Sequence, residues 1–222
     1  MSALFVGTSG FGYPEWKPAF YPAGTKPEEF LHVYAERLPA VELNTTFRRL
    51  PSEEQLRSWA GLTPPEFRFA VKMGGRLGSI GTFAERVRVL GDRLGPLLVQ
   101  LKEDRPRDDG FLELVLGSLD RDLQVAFELR HDSWDDPEVD AMLDGAGAAR
   151  VGAFEGAARF RYLRLREPPY GDAELDALAA QLRPCLEAGL TVYCFFNKGE
   201  HPDHAPGGEP TAATALRFLD RV

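Results

Sequence analysis

The stretch Ala40-Val-Glu-Leu-Asn-Thr-Thr-Phe47 decides the fold, because it lies between two longer amphipathic runs at Pro27–Leu38 and Ser52–Leu62. Its apolar and polar residues alternate, which is typical of a β-strand with one apolar face. The flanking runs have the helical period, and Ser52 followed by Gln55 predicts a helix N-terminus. A strand between two helices is the repeating unit of a parallel α/β sheet.

The same alternation recurs along the chain, and the number of strands sets the architecture. Further strands are predicted at Leu4–Gly10, Arg68–Met73, Pro96–Lys102, Gln124–His131, Arg150–Phe154, Phe160–Arg166 and Leu190–Asn197. Further helices are predicted at Phe83–Leu94, Gly110–Leu119, Pro137–Ala146, Ala173–Ala188 and Thr211–Val222. Eight strands with intervening helices predict an α/β fold, a TIM-type (β/α)8 barrel that takes residues 1–222 as one domain.

One connection in this pattern is too short. Only a handful of residues separate Phe154 from Phe160. A crossover between neighbouring parallel strands needs a dozen or more residues and is usually a helix. We therefore expect the barrel to be irregular around strands six and seven.

Composition excludes several classes of protein. The 222 residues are 44% hydrophobic and 27% charged, as in an ordinary globular chain. The net charge of -8 argues against a generally basic surface for nucleic acid or membranes, although a local basic pocket remains possible. No apolar run approaches the roughly 20 residues that span a bilayer. The opening Met1-Ser-Ala-Leu-Phe-Val6 fits a strand and not a signal peptide, and Cys185 and Cys194 are predicted to be buried thiols, so we expect a cytoplasmic location.

Side-chain alternation predicts which residues face the barrel interior. In strand two, Val41 and Leu43 face the helices, which leaves Glu42, Asn44 and Thr46 inward. The other strands give an inward set of Lys72, Gln100, Glu128, Arg130, Arg164, Arg166, Tyr193, Phe195 and Asn197. Most of the polar members fall in the C-terminal halves of their strands, where TIM barrels keep their active sites.

The inward charges do not balance. Glu42 and Glu128 stand against four cations, so the set is net positive by two; the cations are Lys72, Arg130, Arg164 and Arg166. Buried charges are costly unless they are paired. The surplus predicts a site for a small anionic ligand, with a phosphate group as one option. A self-satisfied network of ion pairs that merely fills the barrel is the alternative.

Roles for these residues follow from their chemistry. Glu128, Glu42 and His131 are the candidate catalytic residues, as groups able to move a proton. The candidate substrate-binding residues are Lys72, Arg130, Arg164, Arg166, Asn44, Gln100, Asn197, Trp16 and Trp134. The two tryptophans and Tyr13 fall in predicted mouth loops, where they could stack on a base or sugar ring. For His131 a strand-capping role, and for the aromatic residues packing onto the barrel rim, are the open alternatives.

We predict no metal and no cofactor. Two glutamates amid four cations would hold an ion poorly. The segment His201-Pro-Asp-His204 has ligand-type residues but fits a surface turn. Gly207-Gly208 could bring backbone N–H groups to a phosphate at the start of the last helix.

Several motifs also resemble those of a known family. They are Gly7-Thr-Ser-Gly10, Tyr13-Pro-Glu-Trp16, Phe20-Tyr-Pro22, Val41-Glu-Leu-Asn-Thr-Thr-Phe47, Phe69-Ala-Val-Lys72, Leu94-Gly-Pro-Leu-Leu-Val-Gln-Leu101, Phe127-Glu-Leu-Arg-His131 with Ser133-Trp134, and Tyr193-Cys-Phe-Phe-Asn197. The chain resembles the YecE-like family, the group called domain of unknown function seventy-two, over essentially its whole length. The resemblance implies a TIM-type barrel and no established reaction.

The chain departs from the family pattern at three places. Arg48 stands where the family usually has an aromatic residue, and Gly78-Ser-Ile-Gly81 where it has a Thr-His pair. The run Arg164-Leu-Arg166-Glu167 replaces a common Arg-Leu-His-Gly ending. Any mechanism that needs the two missing histidines would be lost or altered, whereas anion binding would survive exchange of histidine for arginine.

Three hypotheses of function remain open. The first is an enzyme that acts on a phosphate- or carboxylate-bearing substrate. The second is a protein that binds a nucleotide or single-stranded nucleic acid without catalysis. The third is a barrel that docks partners or has a structural role. The sequence leaves the substrate, the reaction and the oligomeric state open.

Overall fold

The structure, a computed structural model, describes residues 3–74, 80–166, 170–197 and 209–222. Its strands are β1 Ala3–Ser9, β2 Ala40–Leu43, β3 Arg68–Lys72, β4 Leu94–Leu101, β5 Val125–Leu129, β6 Ala149–Arg150, β7 Phe160–Leu165 and β8 Thr191–Phe196. Its helices are α1 Phe30–Ala35, α2 Glu53–Gly61, α3 Ile80–Val87, α4 Asp109–Ser118, α5 Pro137–Ala146, α6 Asp172–Glu187 and α7 Thr211–Leu219. The eight strands are parallel and run in the order β6-β5-β4-β3-β2-β1-β8-β7. The predicted (β/α)8 barrel is confirmed.

The barrel has an open seam between β6 and β7, as the short connection predicted. Strand β6 pairs with β5, and β7 pairs with β8, but within residues 149–165 no ladder joins β6 to β7. Residues 151–159 also form no helix. The amide of Gly152 donates to the carbonyl of Tyr162 at 2.9 Å, which ties the two edges together at one point.

The strand predicted at Arg150–Phe154 is wrong beyond its first residue. Gly152 has φ +87° and Gly156 has φ +119°, so the chain turns where a strand would continue. Glycine adopts this left-handed region without steric cost. Arg161, on the outer face of β7, then fixes the turn by donating to the carbonyls of Phe154, Gly156, Ala158 and Phe160 at 2.7–3.0 Å. These four bonds hold the connection that elsewhere in the barrel a helix provides.

Strand β2 ends earlier than predicted. It stops at Leu43, Asn44 has helical backbone angles, and Thr45–Phe47 form a 3-10 turn. Thr46 therefore leaves the predicted inward set, because its hydroxyl donates to the carbonyls of Leu43 at 2.8 Å and Lys72 at 2.7 Å. The predicted helix Phe83–Leu94 also divides, since α3 passes into a 3-10 segment at Arg88–Arg93 and Leu94 opens β4.

The core confirms the predicted alternation of the strands. One apolar cluster lies between the strands and the helices and includes Val41, Leu43, Phe69, Val71, Leu97, Val99, Val125, Phe127 and Leu163. A second fills the barrel interior and includes Ala40, Ala70, Leu98, Ala126, Phe160, Tyr162, Tyr193 and Phe195. Cys185 and Cys194 are free and buried, as predicted. In the described ranges, no helix has the length and apolar character that crossing a membrane would need.

Candidate functional site

The half of the barrel interior nearer the N-terminal ends of the strands is closed by apolar packing. Alanines of β2, β3 and β5 face aromatic rings of β7 and β8. The ring of Tyr193 stacks on Phe5 at a centroid distance of 5.1 Å and meets Phe160 edge-on at 6.0 Å. Its hydroxyl donates to Oε1 of Gln124, and burial raises the pKa of Tyr193 to about 12. The opposite end of the interior, where the strands have their carboxyl ends, is the mouth of the barrel.

At the mouth the next inward residues are polar, and a buried arginine joins two glutamates from other strands. Arg164 of β7 binds Glu42 of β2 with two parallel hydrogen bonds, each of 2.9 Å. Its third contact is a hydrogen bond to Oε2 of Glu128, on β5, at 2.5 Å. Exposed fractions are 3% for the Arg164 side chain, 0% for Glu42 and 5% for Glu128. We call these three residues the central triad.

Glu42 is saturated with hydrogen bonds. Besides Arg164, it accepts from the Ser9 hydroxyl at 2.6 Å and the Tyr162 hydroxyl at 2.7 Å. Burial, and next the negative charge of Glu42, raise the pKa of Tyr162 well above its usual value, so the phenol stays a donor. Four donors occupy the two carboxylate oxygens. In this arrangement Glu42 positions Arg164 and Tyr162 and has no free oxygen for proton transfer.

Glu128 is held more unevenly. Its Oε2 accepts from Arg164 and from the side-chain amide of Gln100. Within the described ranges its Oε1 has two longer contacts, 3.3 Å to Arg130 and 3.4 Å to Arg166. Burial alone would raise the pKa of Glu128, but the nearby arginines and Gln100 outweigh it and hold that pKa below its ordinary value. Glu128 is thus a carboxylate at neutral pH, with one oxygen held tightly and the other loosely.

Gln100 connects this carboxylate to a lysine. The Gln100 amide nitrogen donates to Glu128, while its oxygen accepts from Nζ of Lys72 at 2.5 Å. Nζ also lies 4.6 Å from the ring centroid of Phe47, which is 42% exposed at the mouth. Burial lowers the pKa of Lys72, and the positive charge of Arg164 lowers it further. Lys72 therefore holds its proton less tightly than an ordinary lysine, and two hydrogen bonds through Gln100 connect it to Glu128.

The outer cations, Arg130 and Arg166, are more exposed than the central triad. Arg130 contacts Glu103 at 3.2 Å as well as Glu128, and the Arg166 side chain is 41% exposed. Two polar atoms here are buried without a hydrogen-bond partner in the part of the chain that the structure describes, Nε of Arg130 and Oδ1 of Asn44. We call the predicted inward residues that meet here the mouth cluster: Glu42, Lys72, Gln100, Glu128, Arg130, Arg164 and Arg166.

Three further predicted site residues follow strands β2, β5 and β8. Asn44 directly follows β2, and Asn197 directly follows β8, where its amide donates to the Leu165 carbonyl at 2.7 Å. His131 caps the 3-10 turn Asp132–Trp134, because its Nδ1 accepts from the amide of Ser133 at 3.1 Å. This is the capping role that the sequence analysis named as the alternative to proton transfer by His131.

The two tryptophans require a correction. Trp16 is 1% exposed and packs against Phe20 and Tyr21, and Trp134 is 0% exposed with its indole nitrogen donating to the Arg105 carbonyl. Packing onto the barrel therefore describes both residues, and neither ring face is open to stack on a ligand. The aromatic ring that does lie open beside the mouth cluster is Phe47.

Ser9 and Tyr162 were missed as members of the site. Ser9 pairs with Glu42 in the β1–β2 register, and Tyr162 stands two residues before Arg164 on the same face of β7. The alternation rule would have found Tyr162 had it been applied to the first half of that strand. The predictions for His201, His204 and Gly207-Gly208 lie outside the described residues. In the described ranges, no group of three or more His, Cys, Asp or Glu side chains is placed to hold a metal ion.

A nearly closed barrel of eight parallel strands, with an ionic cluster at its mouth, defines a TIM-type barrel protein of the α/β class. A family model described as "Protein of unknown function DUF72" matches residues 5–217, so the chain belongs to the DUF72 family. This confirms the family that the sequence motifs indicated. No curated protein matches the chain.

Solved structures of the family share the fold. A DUF72 family protein from Thermotoga maritima is 25% identical, with a TM-score of 0.81 and coverage of 98% of each chain. A DUF72 family protein from Enterococcus faecalis is 18% identical, with a TM-score of 0.79 and coverage of 99% of this chain and 97% of the other. These likenesses support the barrel and leave the activity to be argued from the site.

Proposed function

We propose that the mouth cluster binds a small anion that carries a phosphate or carboxylate group, and that the protein is an enzyme acting on it. The proposal rests on a difference between the carboxylate contacts of the inner arginine and those of the two outer arginines. Arg164 is fully engaged by two buried glutamates, whereas Arg130 and Arg166 meet Glu128 only at 3.3 and 3.4 Å. Arginine donors arranged in a fork suit phosphate and carboxylate oxygens.

Glu128 links binding to chemistry in this proposal. An anion that draws Arg130 and Arg166 toward itself releases Oε1 of Glu128, the oxygen that these two arginines contact at 3.3 and 3.4 Å. The carboxylate is ionised, so the released oxygen can accept a proton from the bound molecule. Glu42, saturated by four donors, keeps Arg164 in position while this happens.

Thermal unfolding in rising inorganic phosphate or sulfate tests the binding site. A ligand that binds only the folded state raises the melting temperature with concentration. We expect a rise for the wild type and a clearly smaller one for Arg166→Gln. The matched control is Arg57→Gln, which removes an exposed arginine that also has a carboxylate partner, Glu53, at 2.9 Å. Equal shifts in all three proteins would refute anion binding at the mouth.

A screen of phosphate- and carboxylate-bearing metabolites tests the enzymatic half of the proposal. On any substrate found, Glu128→Gln should abolish turnover while largely preserving binding, because the amide keeps the shape of the side chain and loses the proton acceptor. Unchanged turnover would discard the role of Glu128. His131→Gln in parallel tests the other predicted proton carrier, and we expect little change because its ring caps a turn.

A nucleotide or single-stranded nucleic acid remains the second candidate ligand, supported by exposed Phe47 beside Lys72. Such a ligand would give binding that weakens steeply with salt. Titration with a single-stranded oligonucleotide that shows no salt-sensitive binding would remove this candidate. The free, buried thiols of Cys185 and Cys194 support a cytoplasmic, reducing setting as part of the proposal.

A further inference from the structure

Lys72 differs from an ordinary anion-binding lysine in its partners. Its Nζ donates to a neutral amide oxygen, that of Gln100, and lies over the ring of Phe47. Among the residues that the structure describes, no carboxylate oxygen lies within 4.0 Å of this nitrogen. The amide oxygen and the ring face each stabilise an ammonium group, but neither supplies the opposite charge that a carboxylate partner would.

The charged groups around Lys72 come from three other strands. Arg164 on β7 and Arg130, which follows β5, oppose protonation of the amine, whereas Glu42 on β2 and Glu128 on β5 favour it. Burial and Arg164 outweigh the glutamates, because both glutamates already bind Arg164. Desolvation together with a neighbouring cation is a recognised way to make a lysine nucleophilic at neutral pH.

We propose that Lys72 is a nucleophile that forms an imine with an aldehyde or ketone carbonyl of the bound anion. This inference rests on the anion site proposed above and adds the substrate class, a carbonyl compound that also carries a phosphate or carboxylate. Arg130 and Arg166 hold the anionic group, and Lys72 projects from the end of β3 into the same mouth, two hydrogen bonds from Glu128 through Gln100.

The step balances without a further reactant. The lone pair of the neutral amine attacks the carbonyl carbon, a C–N bond forms, and the carbonyl oxygen takes a proton that the nitrogen gives up. The resulting hydroxyl then leaves as water with the remaining nitrogen proton, and the nitrogen lone pair forms the C=N bond. One amine and one carbonyl thus give one imine and one water, with no change in oxidation state.

Borohydride trapping on the full-length protein tests the proposal, because reduction converts an imine into a stable secondary amine. The probes are glycolaldehyde phosphate, pyruvate and neutral glycolaldehyde. The chain has five lysines, so peptide mapping by mass spectrometry can assign each adduct. We expect glycolaldehyde phosphate near pH 7 to modify Lys72 several-fold more than exposed Lys26 and Lys102, since a lowered pKa leaves a larger fraction of the Lys72 amine neutral.

The outcomes separate this inference from the anion site. Equal modification of Lys72, Lys26 and Lys102 by every probe would overturn the imine proposal, even where phosphate still raises the melting temperature. Preferential labelling of Lys72 by neutral glycolaldehyde, without a phosphate-dependent shift, would keep the reactive lysine and overturn the anionic substrate. Lys72→Arg should lose the adduct, and Lys102→Arg should retain both the adduct and the phosphate shift. A further test needs no variant, because the lysines of the wild type can compete for the same labelling reagent at a series of pH values. If the labelling of Lys72 depends on pH in the same way as that of Lys26, the proposal is refuted.

Discussion

The two halves of the barrel interior are built on the same strands and differ in their inward side chains. The half nearer the N-terminal ends of the strands is apolar, and the half at the mouth is ionic. On β2, Ala40 lies in the apolar half and Glu42, two residues later, in the ionic half; on β7, Phe160 and Arg164 make the same contrast. The apolar half stabilises the fold by burial and close packing. The ionic half carries a desolvation cost that apolar side chains would avoid. Among the described residues, the buried glutamates of the barrel interior lie at its mouth, and this placement is the basis for proposing that they serve binding or chemistry.

Arg164→Met should give the largest effect. It leaves Glu42 and Glu128 buried without their shared cation, and breaking a buried ion pair in this way costs about 3–5 kcal/mol. Urea unfolding at pH 7 measures the loss. Phe195→Ala, in the apolar half, is the matched control, because deleting a buried phenylalanine costs about the same.

The two variants should separate when the pH is lowered. Acidification protonates the stranded Glu128 of Arg164→Met and narrows the stability difference between this variant and the wild type, whereas the Phe195→Ala difference stays constant. If the two differences in unfolding free energy change in the same way from pH 7 to pH 4, charge does not stabilise the ionic half of the barrel.

Tyr162→Phe tests the boundary between the halves and should have a smaller effect. The ring stays in the apolar half and only the hydroxyl that donates to Glu42 is lost. A hydrogen bond to a charged group contributes about 1.5–3 kcal/mol. Urea unfolding should show this loss of unfolding free energy, and its slope against urea concentration should equal that of the wild type. A loss as large as that of Arg164→Met would mean that the two halves are not separable.

Glu128 should contribute to the pH dependence of the wild-type stability, and this effect should be smaller than that of Tyr162→Phe. Its folded-state pKa lies below the ordinary value of 4.5, so its stabilisation is complete above that pH and is lost as the pH falls through the folded-state pKa. Glu128→Gln should be less stable than the wild type at pH 7, and the gap should close on acidification. Unfolding free energies measured from pH 7 to pH 3 check this, and a gap that widens would contradict it.

The ionic half was easier to predict from sequence than its surroundings. Strict alternation around Glu42, Lys72 and Glu128 marks the inward face, because the opposite face must be apolar to pack on helices. The end of β2 was not predictable in this way, since the carbonyl partners of Thr46 lie on two strands that only the fold brings together. The burial of Trp16 and the role of Arg161 depend likewise on loop geometry, which alternation does not describe.

Arg57→Gln should have the smallest effect and makes the comparison sharpest. Arg57 meets Glu53 at 2.9 Å, the same distance that joins Arg164 to Glu42, but the Arg57 and Glu53 side chains are 62% and 51% exposed. Exposed pairs contribute about 0–1 kcal/mol, because water solvates either partner once the other is removed. Urea unfolding should therefore place this variant within about 1 kcal/mol of the wild type. Since the distances are equal, a loss near that of Arg164→Met would show that contact geometry, and not burial, sets the cost of breaking a pair in this protein.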